Sequence, residues 1–319
     1  MAAWGNAVSQ VQSKGEQPPK SVYDREYYRG LLTRKRAAGT RPVRMALVGK
    51  ENTGKTGTAV SVAVKSTLCK DKEIVVLDCD SSCENTIAHV YPEANIKIIP
   101  ILDPLDESLF DDNNEINWVA VVDKVSWFVS LLAEESENIG AVIFDGGSTF
   151  MKWCEFVMTH HLQNRSKNPI SIEDGDKFNQ AEWRTRNKVF KDIVDRLNAL
   201  PVPMVFFTFH LKDIKEFMDI GDGRKGLIKV GEKVDWVDGT QRFVSQQLWL
   251  TRYTKKGDQS AGVKADKSLK EGEWVIRCKV EEMKGKHMEY LGKDHELLKV
   301  TNDGVVEWTG LPFGWRLAE

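Results

Sequence analysis

Gly49-Lys50-Glu51-Asn52-Thr53-Gly54-Lys55-Thr56 reads G-x-x-x-x-G-K-T, the pattern of a P-loop that wraps a phosphate chain. Its flanks fit that reading. Val43-Arg44-Met45-Ala46-Leu47-Val48 is an apolar run suited to a buried strand. Behind the loop, Gly57 to Leu68 carries Ala59, Val60, Val62, Ala63, Val64 and Leu68 at helical spacing. Strand, glycine-containing loop and helix in this order let backbone N–H groups surround a phosphate, while the helix N-terminus adds positive potential. Gly49 to Gly57 are therefore candidate nucleotide contacts. Lys55 is placed to reach β- and γ-phosphates, and the Thr56 hydroxyl to take a position on Mg²⁺.

The rest of the chain sets limits. With 319 residues and a formal net charge of -2, it is long enough for one large domain or two small ones. Bulk charge does not advertise nucleic-acid binding, so such binding must come from local patches. No run of about 18 apolar residues occurs, so no membrane span is expected. Met1-Ala2-Ala3-Trp4-Gly5 opens without an apolar signal core. Cys69, Cys79, Cys83, Cys154 and Cys278 form no C-x-x-C pair and no Cys/His ladder. They point to reduced thiols in a cytoplasmic protein and argue against a zinc site.

Residues 1–40 read as a polar tail and then a helix over Tyr23–Ala38, basic from Arg29 onward, with Arg41 and Arg44 continuing the bias. Two readings stay open here: a solvated helix, or an arm for subunit or phosphate contact. Residues 41–319 are expected to form one α/β domain. Glu73 to Asp80 is a short strand ending in two carboxylates. Open α/β sheets carry functional groups at the carboxyl ends of their strands, so Asp78 and Asp80 are expected to face the nucleotide. Gly140-Ala141-Val142-Ile143-Phe144-Asp145 has the Walker B pattern, whose carboxylate holds Mg²⁺ through water.

Trp118–Ala133 and Glu182–Leu200 read as amphipathic helices, and Met204–His210 as a strand with a polar end. His210 is a candidate sensor of the γ-phosphate or a satisfied structural histidine. Residues 211–240, with Lys212, Lys215, Arg224, Lys225, Lys229 and Lys233, read as a long mobile basic loop. Trp236 within it is either a base-stacking group or core. The C-terminal third reads as antiparallel β-ribbon. Lys284 and Lys286 at period-two spacing would place two ammonium groups on one side.

In this order the parts resemble the RecA/RadA ATPase core over roughly residues 40–300. They are most similar to the short phage and archaeal RecA-like ATPases, including the Sak-type single-strand annealing proteins. The most specific pieces are Gln180-Ala181-Glu182-Trp183, Asp195-Arg196-Leu197-Asn198-Ala199-Leu200-Pro201 and Val205-Phe206-Phe207-Thr208-Phe209-His210. The resemblance implies a RecA-like P-loop core, a mostly parallel sheet flanked by helices, with a C-terminal antiparallel ribbon. It also implies ATP and Mg²⁺, single-stranded DNA as partner, and a homo-oligomer (ring or filament) with active sites between subunits. Asp80 takes the place of the acid that activates water, one methylene shorter than the usual glutamate. His210 takes the place of the glutamine that couples ATP to the DNA loop. Lys212, Lys215, Arg224, Lys225 and Lys229 become DNA contacts, and Lys284 and Lys286 the lysines that reach a neighbour's ATP.

Two other classes match in part. A ParA/MinD-type partition ATPase would use Lys50 as its P-loop lysine, but Glu51-Asn52 stands where that pattern has Gly-Gly. A RecA-fold helicase or packaging motor shares the core. The expected location is cytoplasmic, which for a virus-encoded protein means the host cytoplasm.

Overall fold

β1 (Val43–Gly49) is buried along its whole length, and its neighbours show why. In the computed structural model, which describes residues 42–84, 87, 91–163, 180–219, 224–258, 261–284 and 288–311, β1 lies between two parallel strands. Val43–Gly49 pairs with the first half of β5 (Met204–Asp219), and Met45–Gly49 pairs with β7 (Gln246–Thr254). A strand covered on both faces and both edges has no wet side, hence a continuous apolar run.

Beyond β5 come β4 (Ile139–Asp145), β2 (Glu73–Asp78) and β3 (Ile96–Pro100), all parallel. Beyond β7 come β9 (Trp274–Met283), β10 (Asp294–Val300) and β11 (Val306–Trp308), each antiparallel to the strand before it. A short β8 (Lys264–Ala265) pairs with β7. The expected α/β class is therefore present. The C-terminal strands are antiparallel, as expected. Leu248 and Leu250 of β7 are buried beside β1, so these strands extend the main sheet.

Side chains alternate between the two faces with period two, and each strand feeds two cores. α2 (Trp118–Glu134), α3 (Gly147–Gln163) and α4 (Gln180–Ala199) pack on the face carrying Ala46, Val48, Phe144, Phe207 and Phe209. α1 (Lys55–Lys65) packs on the other, against Met45, Leu47, Ile143 and Phe206. Trp236 is partly buried and packs against the first core, edge-on to Phe209 at 5.2 Å.

The segment expected as a mobile loop is a strand pair. β5 runs on past His210 and returns as β6 (Lys225–Val234), in antiparallel register from Leu211↔Val234 to Asp219↔Lys225. Beyond His210 most side chains face solvent. The strand therefore carries Lys212, Asp213, Lys215 and Glu216 in place of an apolar alternation, and a register shift at Ile214/Lys215 breaks the period further. The N-terminal tail and helical arm expected over residues 1–40, residues 164–179, and Lys286 lie outside the described residues.

Arg44 corrects another expectation. It is buried, not part of a basic surface. Its guanidinium donates to the carbonyls of Val43 (2.9 Å), Asn198 (2.9 Å), Leu200 (2.7 Å) and Val202 (3.3 Å). A cation at the C-terminal end of α4 also matches the helix dipole. Burial lowers its pKa to about 10, so it stays charged at neutral pH. Arg44→Met strands those carbonyls. It should lower the free energy of unfolding by about 3 kcal/mol in chemical denaturation.

Candidate nucleotide site

The carboxyl ends of β1, β2 and β4 converge with the middle of β5 on one edge of the sheet, and the P-loop turns there. Gly54 (φ 76°) and Asn52 (φ 56°) are left-handed, a conformation that suits glycine and is tolerated by asparagine. A Cβ on Gly49 would fall 2.3 Å from Thr53 Oγ1, so the loop closes only on glycine there. Thr53 Oγ1 donates to the Lys50 carbonyl at 2.9 Å and holds the turn. Gly57 lies in the first turn of α1, and its carbonyl accepts from Ser61 Oγ at 2.7 Å.

Asp145 ends β4 beneath this loop and is buried. Oδ1 accepts from Thr208 Oγ1 at 2.6 Å; Oδ2 accepts from Thr56 Oγ1 at 2.8 Å and from Cys83 Sγ at 2.9 Å. Burial raises its pKa, and these three donors oppose the shift. Lys55 is also buried; its Nζ donates to the carbonyls of Lys50 (2.9 Å) and Gly49 (3.3 Å). Burial pulls its pKa down, and the charges of Asp145, Asp80 and Glu51 counter it.

The two carboxylates after β2 have different jobs. Asp78 does not face the nucleotide side. It accepts backbone N–H bonds from Asp80 (3.1 Å), Ser82 (3.4 Å) and Cys83 (3.1 Å), and so shapes the turn. Asp80 faces the cleft, hydrogen-bonded by Thr149 and 3.6 Å from His210 Nε2. Burial works to raise its pKa, but bonding to His210 and Thr149 and the charge of Lys55 outweigh it, leaving a net depression. Gly146 (φ 90°) makes room for this carboxylate: a Cβ there would stand 2.6 Å from Asp80 Oδ1.

His210 is the last β5 residue paired with β1. Its backbone N–H donates to Ser148 Oγ (3.0 Å), whose hydroxyl donates to the Asp235 carbonyl (2.7 Å). Lys50 leaves the P-loop sideways. Its Nζ lies 2.8 Å from Asp213 and 3.6 Å from Glu232, opposite residues on β5 and β6. Lys229 joins the same two acids at 2.9 and 2.6 Å, and Lys212 pairs with Asp235. Lys215, Arg224 and Lys225 are exposed.

Lys284 does not join this site within the chain. Its Nζ donates to the carbonyls of Gln241 (3.2 Å), Arg242 (3.4 Å) and Val244 (2.7 Å), and lies 3.2 Å from Glu282. The preceding residue, Met283, stands opposite Gln246, and Gln246 opposite Met45. That is the sheet edge away from the P-loop.

The cleft over the P-loop has a volume of about 800 Å³. One wall is Glu51 to Gly57 with Asp80, Asp145, Thr149 and His210; the other is Arg252 and side chains of β9, β10 and β11. Sequence reading missed Thr208, Cys83, Thr149 and this second wall. Thr208 carried a signal, as a hydroxyl inside an otherwise apolar strand. Asp78, Cys83 and Asp145 offer atoms within 4.8 Å of one another. Burial drives the Cys83 thiol pKa far up and Asp78 is occupied by backbone, so this cluster is a hydrogen-bonded support. The oxygen pair Thr56/Asp145 is the donor set that fits a hard divalent cation.

The sequence matches the AAA domain family over residues 41–242, well over half of its length, and the chain belongs to that family of P-loop ATPases. No curated protein matches it. Among solved structures, a KaiC-like protein from the hyperthermophilic archaeon Pyrococcus horikoshii OT3 superposes with a TM-score of 0.43 at 12% identity, over 86% of this chain and 99% of that one. The RecA-like character of the core stands on its own strand order, with β5 between the P-loop strand β1 and the Walker B strand β4. No helix among the described residues is long and apolar enough to cross a membrane.

Two expectations follow from this geometry. Lys55→Ala and Asp145→Asn should each reduce ATP turnover by about 10²-fold or more, with circular dichroism unchanged. The depressed pKa of Asp80 has a definite sign: its carboxylate stabilises the fold above the unfolded value of about 4, and that contribution is lost as pH falls through the native value. Asp80→Asn should therefore be less stable than wild type at pH 7, with the gap narrowing towards pH 3 in parallel denaturation curves.

Proposed function

We propose that this protein is a Mg²⁺-dependent ATPase whose nucleotide state sets the grip of the β5–β6 pair on single-stranded DNA, in annealing or recombination. The observation that carries the reading is a double tie between phosphate site and strand pair. His210 pairs with Asp80 where the strand pair begins, and Lys50 of the P-loop pairs with Asp213 and Glu232 at its base. Phosphates in the loop compete with those two acids for Lys50, so nucleotide arrival loosens one tie.

The strand pair has the composition that single strands require. Phe217 and Leu227 are directly opposite one another, 71% and 58% exposed, with Lys215, Arg224 and Lys225 beside them. An aromatic face stacks on any base, and lysine and arginine follow the backbone. Oligomerisation, with a neighbouring copy adding a cation at the open cleft, belongs to the same reading.

For hydrolysis, Thr56 and Asp145 would hold Mg²⁺, which supplies charge neutralisation at the β- and γ-phosphates. Lys55 and the loop N–H groups stabilise the transferred phosphoryl group. Asp80, fixed by Thr149 and His210, orients the attacking water. Its depressed pKa makes it a weak base. That suits a loose transition state, in which positioning counts for more than proton abstraction.

Titrating a labelled oligonucleotide at several salt concentrations tests this. Binding should be tighter with an ATP analogue than with ADP, and log affinity should fall with log salt by roughly 0.7 per phosphate contact. Phe217→Ala should weaken binding about 5- to 100-fold. An Asp213→Asn/Glu232→Gln protein should show a smaller difference between ATP and ADP states. Absence of binding at low salt with the ATP analogue would overturn the DNA reading.

A further inference from the structure

β7, β9, β10 and β11 set side chains in two cross-strand rows. Arg252 stands opposite Ile276, Ile276 opposite Leu298, and Leu298 opposite Trp308. Thr254 stands opposite Trp274, Trp274 opposite Val300, and Val300 opposite Val306. Opposite partners share a face, and so do residues two apart, so both rows lie on one face. It is the face of α1: Ile276, Leu298 and Val300 belong to that core, with Trp274 and Trp308 packed against it.

The rows begin at the P-loop. Ile276 Cδ1 lies 2.4 Å from where a Cβ on Gly54 would stand. Every row residue except Thr254 lines the same cleft as the P-loop. Trp274 and Trp308 are only half-buried there, and Val306 is 46% exposed. The Arg252 guanidinium stacks on the Trp274 ring at 4.4 Å, and its buried Nε has no hydrogen-bond partner among the described residues.

We propose that these rows are the nucleobase shelf of the site. The inference rests on the nucleotide reading above and assigns the part of the ligand that the P-loop does not hold. With the phosphates in the loop, the ribose lies over Gly54 and Ile276, and the base stacks on Trp274 and Trp308. The row side chains that line the cleft offer the guanidinium of Arg252 and the indole N–H groups, and the Lys65 ammonium lies 5.6 Å from the Trp308 ring centroid; these groups only donate. Adenine presents both a donor and an acceptor along its N6/N7 edge. The shelf therefore holds the base by its face, and either purine is accepted. Residues 274–308 lie outside the span that matches the AAA domain family, so base binding is a contribution of the C-terminal strands.

Calorimetric binding of ATP, GTP and inorganic tripolyphosphate to wild type, Trp274→Ala, Trp308→Ala and Val306→Glu tests this. Each variant should lose about 5- to 100-fold for ATP and GTP, while tripolyphosphate stays within about twofold. Wild type should bind ATP and GTP within about tenfold of each other. Val306→Glu changes an exposed residue, so it reports even where a tryptophan variant fails to fold. Quenching of intrinsic tryptophan fluorescence by ATP but not by tripolyphosphate needs no variant at all. Equal losses for ATP and tripolyphosphate, or no loss for either, would overturn the shelf. A preference of about 100-fold for one purine would overturn holding by the face alone. Wild type that binds neither ATP nor tripolyphosphate would instead remove the nucleotide reading on which the shelf rests.

Discussion

Everything at the sheet's functional edge is arranged around one buried carboxylate. Asp145 takes hydrogen bonds from Thr208 on β5, Thr56 at the start of α1 and Cys83 in the turn after β2. Three segments far apart in sequence are registered by a group that cannot be left unpaired, because an unsatisfied buried charge costs several kcal/mol. Asp78 does the same for the adjoining turn through three backbone N–H groups. The floor of the cleft is thus fixed by polar constraints laid over two apolar cores. The cores set the spacing of the strands, and the carboxylates set the angle at which the loops leave them.

The length of β5 links this floor to the molecule's outer surface. Its first half is a buried neighbour of β1, and its second half belongs to the exposed pair with β6. Its midpoint is His210, beside Asp80, and Lys50 grips the pair just beyond. Sheet topology thereby brings the His210–Asp80 pair at the cleft and an exposed apolar tip onto one element.

What could be read in the sequence follows from how locally each feature is encoded. The P-loop was legible because a phosphate needs glycines, lysine and threonine in consecutive positions. Asp145 was legible because an apolar strand ending in acid, after a P-loop, has few other uses. Asp78 and Asp80 could not be told apart, because the turn that aims one inward and the other at the cleft depends on donors from Ser82 and Cys83. Arg44 looked basic and exposed, because its partners, the carbonyls around Asn198 to Val202, lie 154 or more residues away. The β5–β6 pair was hidden because a strand with no buried face carries no alternation. The second wall of the cleft was hidden for a different reason: Arg252, Ile276, Leu298 and Trp308 are neighbours only through strand register, which sequence spacing does not reveal.

The opposed shifts of Lys55 and Asp145 connect stability with chemistry. Burial depresses one and raises the other; nearby carboxylates partly offset the cost for Lys55, and three hydrogen-bond donors partly offset it for Asp145. The groups that would suit each are of opposite kind: phosphate oxygens for Lys55, and a hard cation for the Asp145 side, where Thr56 stands 2.8 Å away. Strain of this sort collects at functional sites because the surrounding structure over-determines it. Here the over-determination is visible in the two cores that lock β1 and β4 in place. A ligand that brings both charges at once relieves both costs. A P-loop that held its lysine and acid in mutual satisfaction would be more stable and would bind nucleotide less tightly.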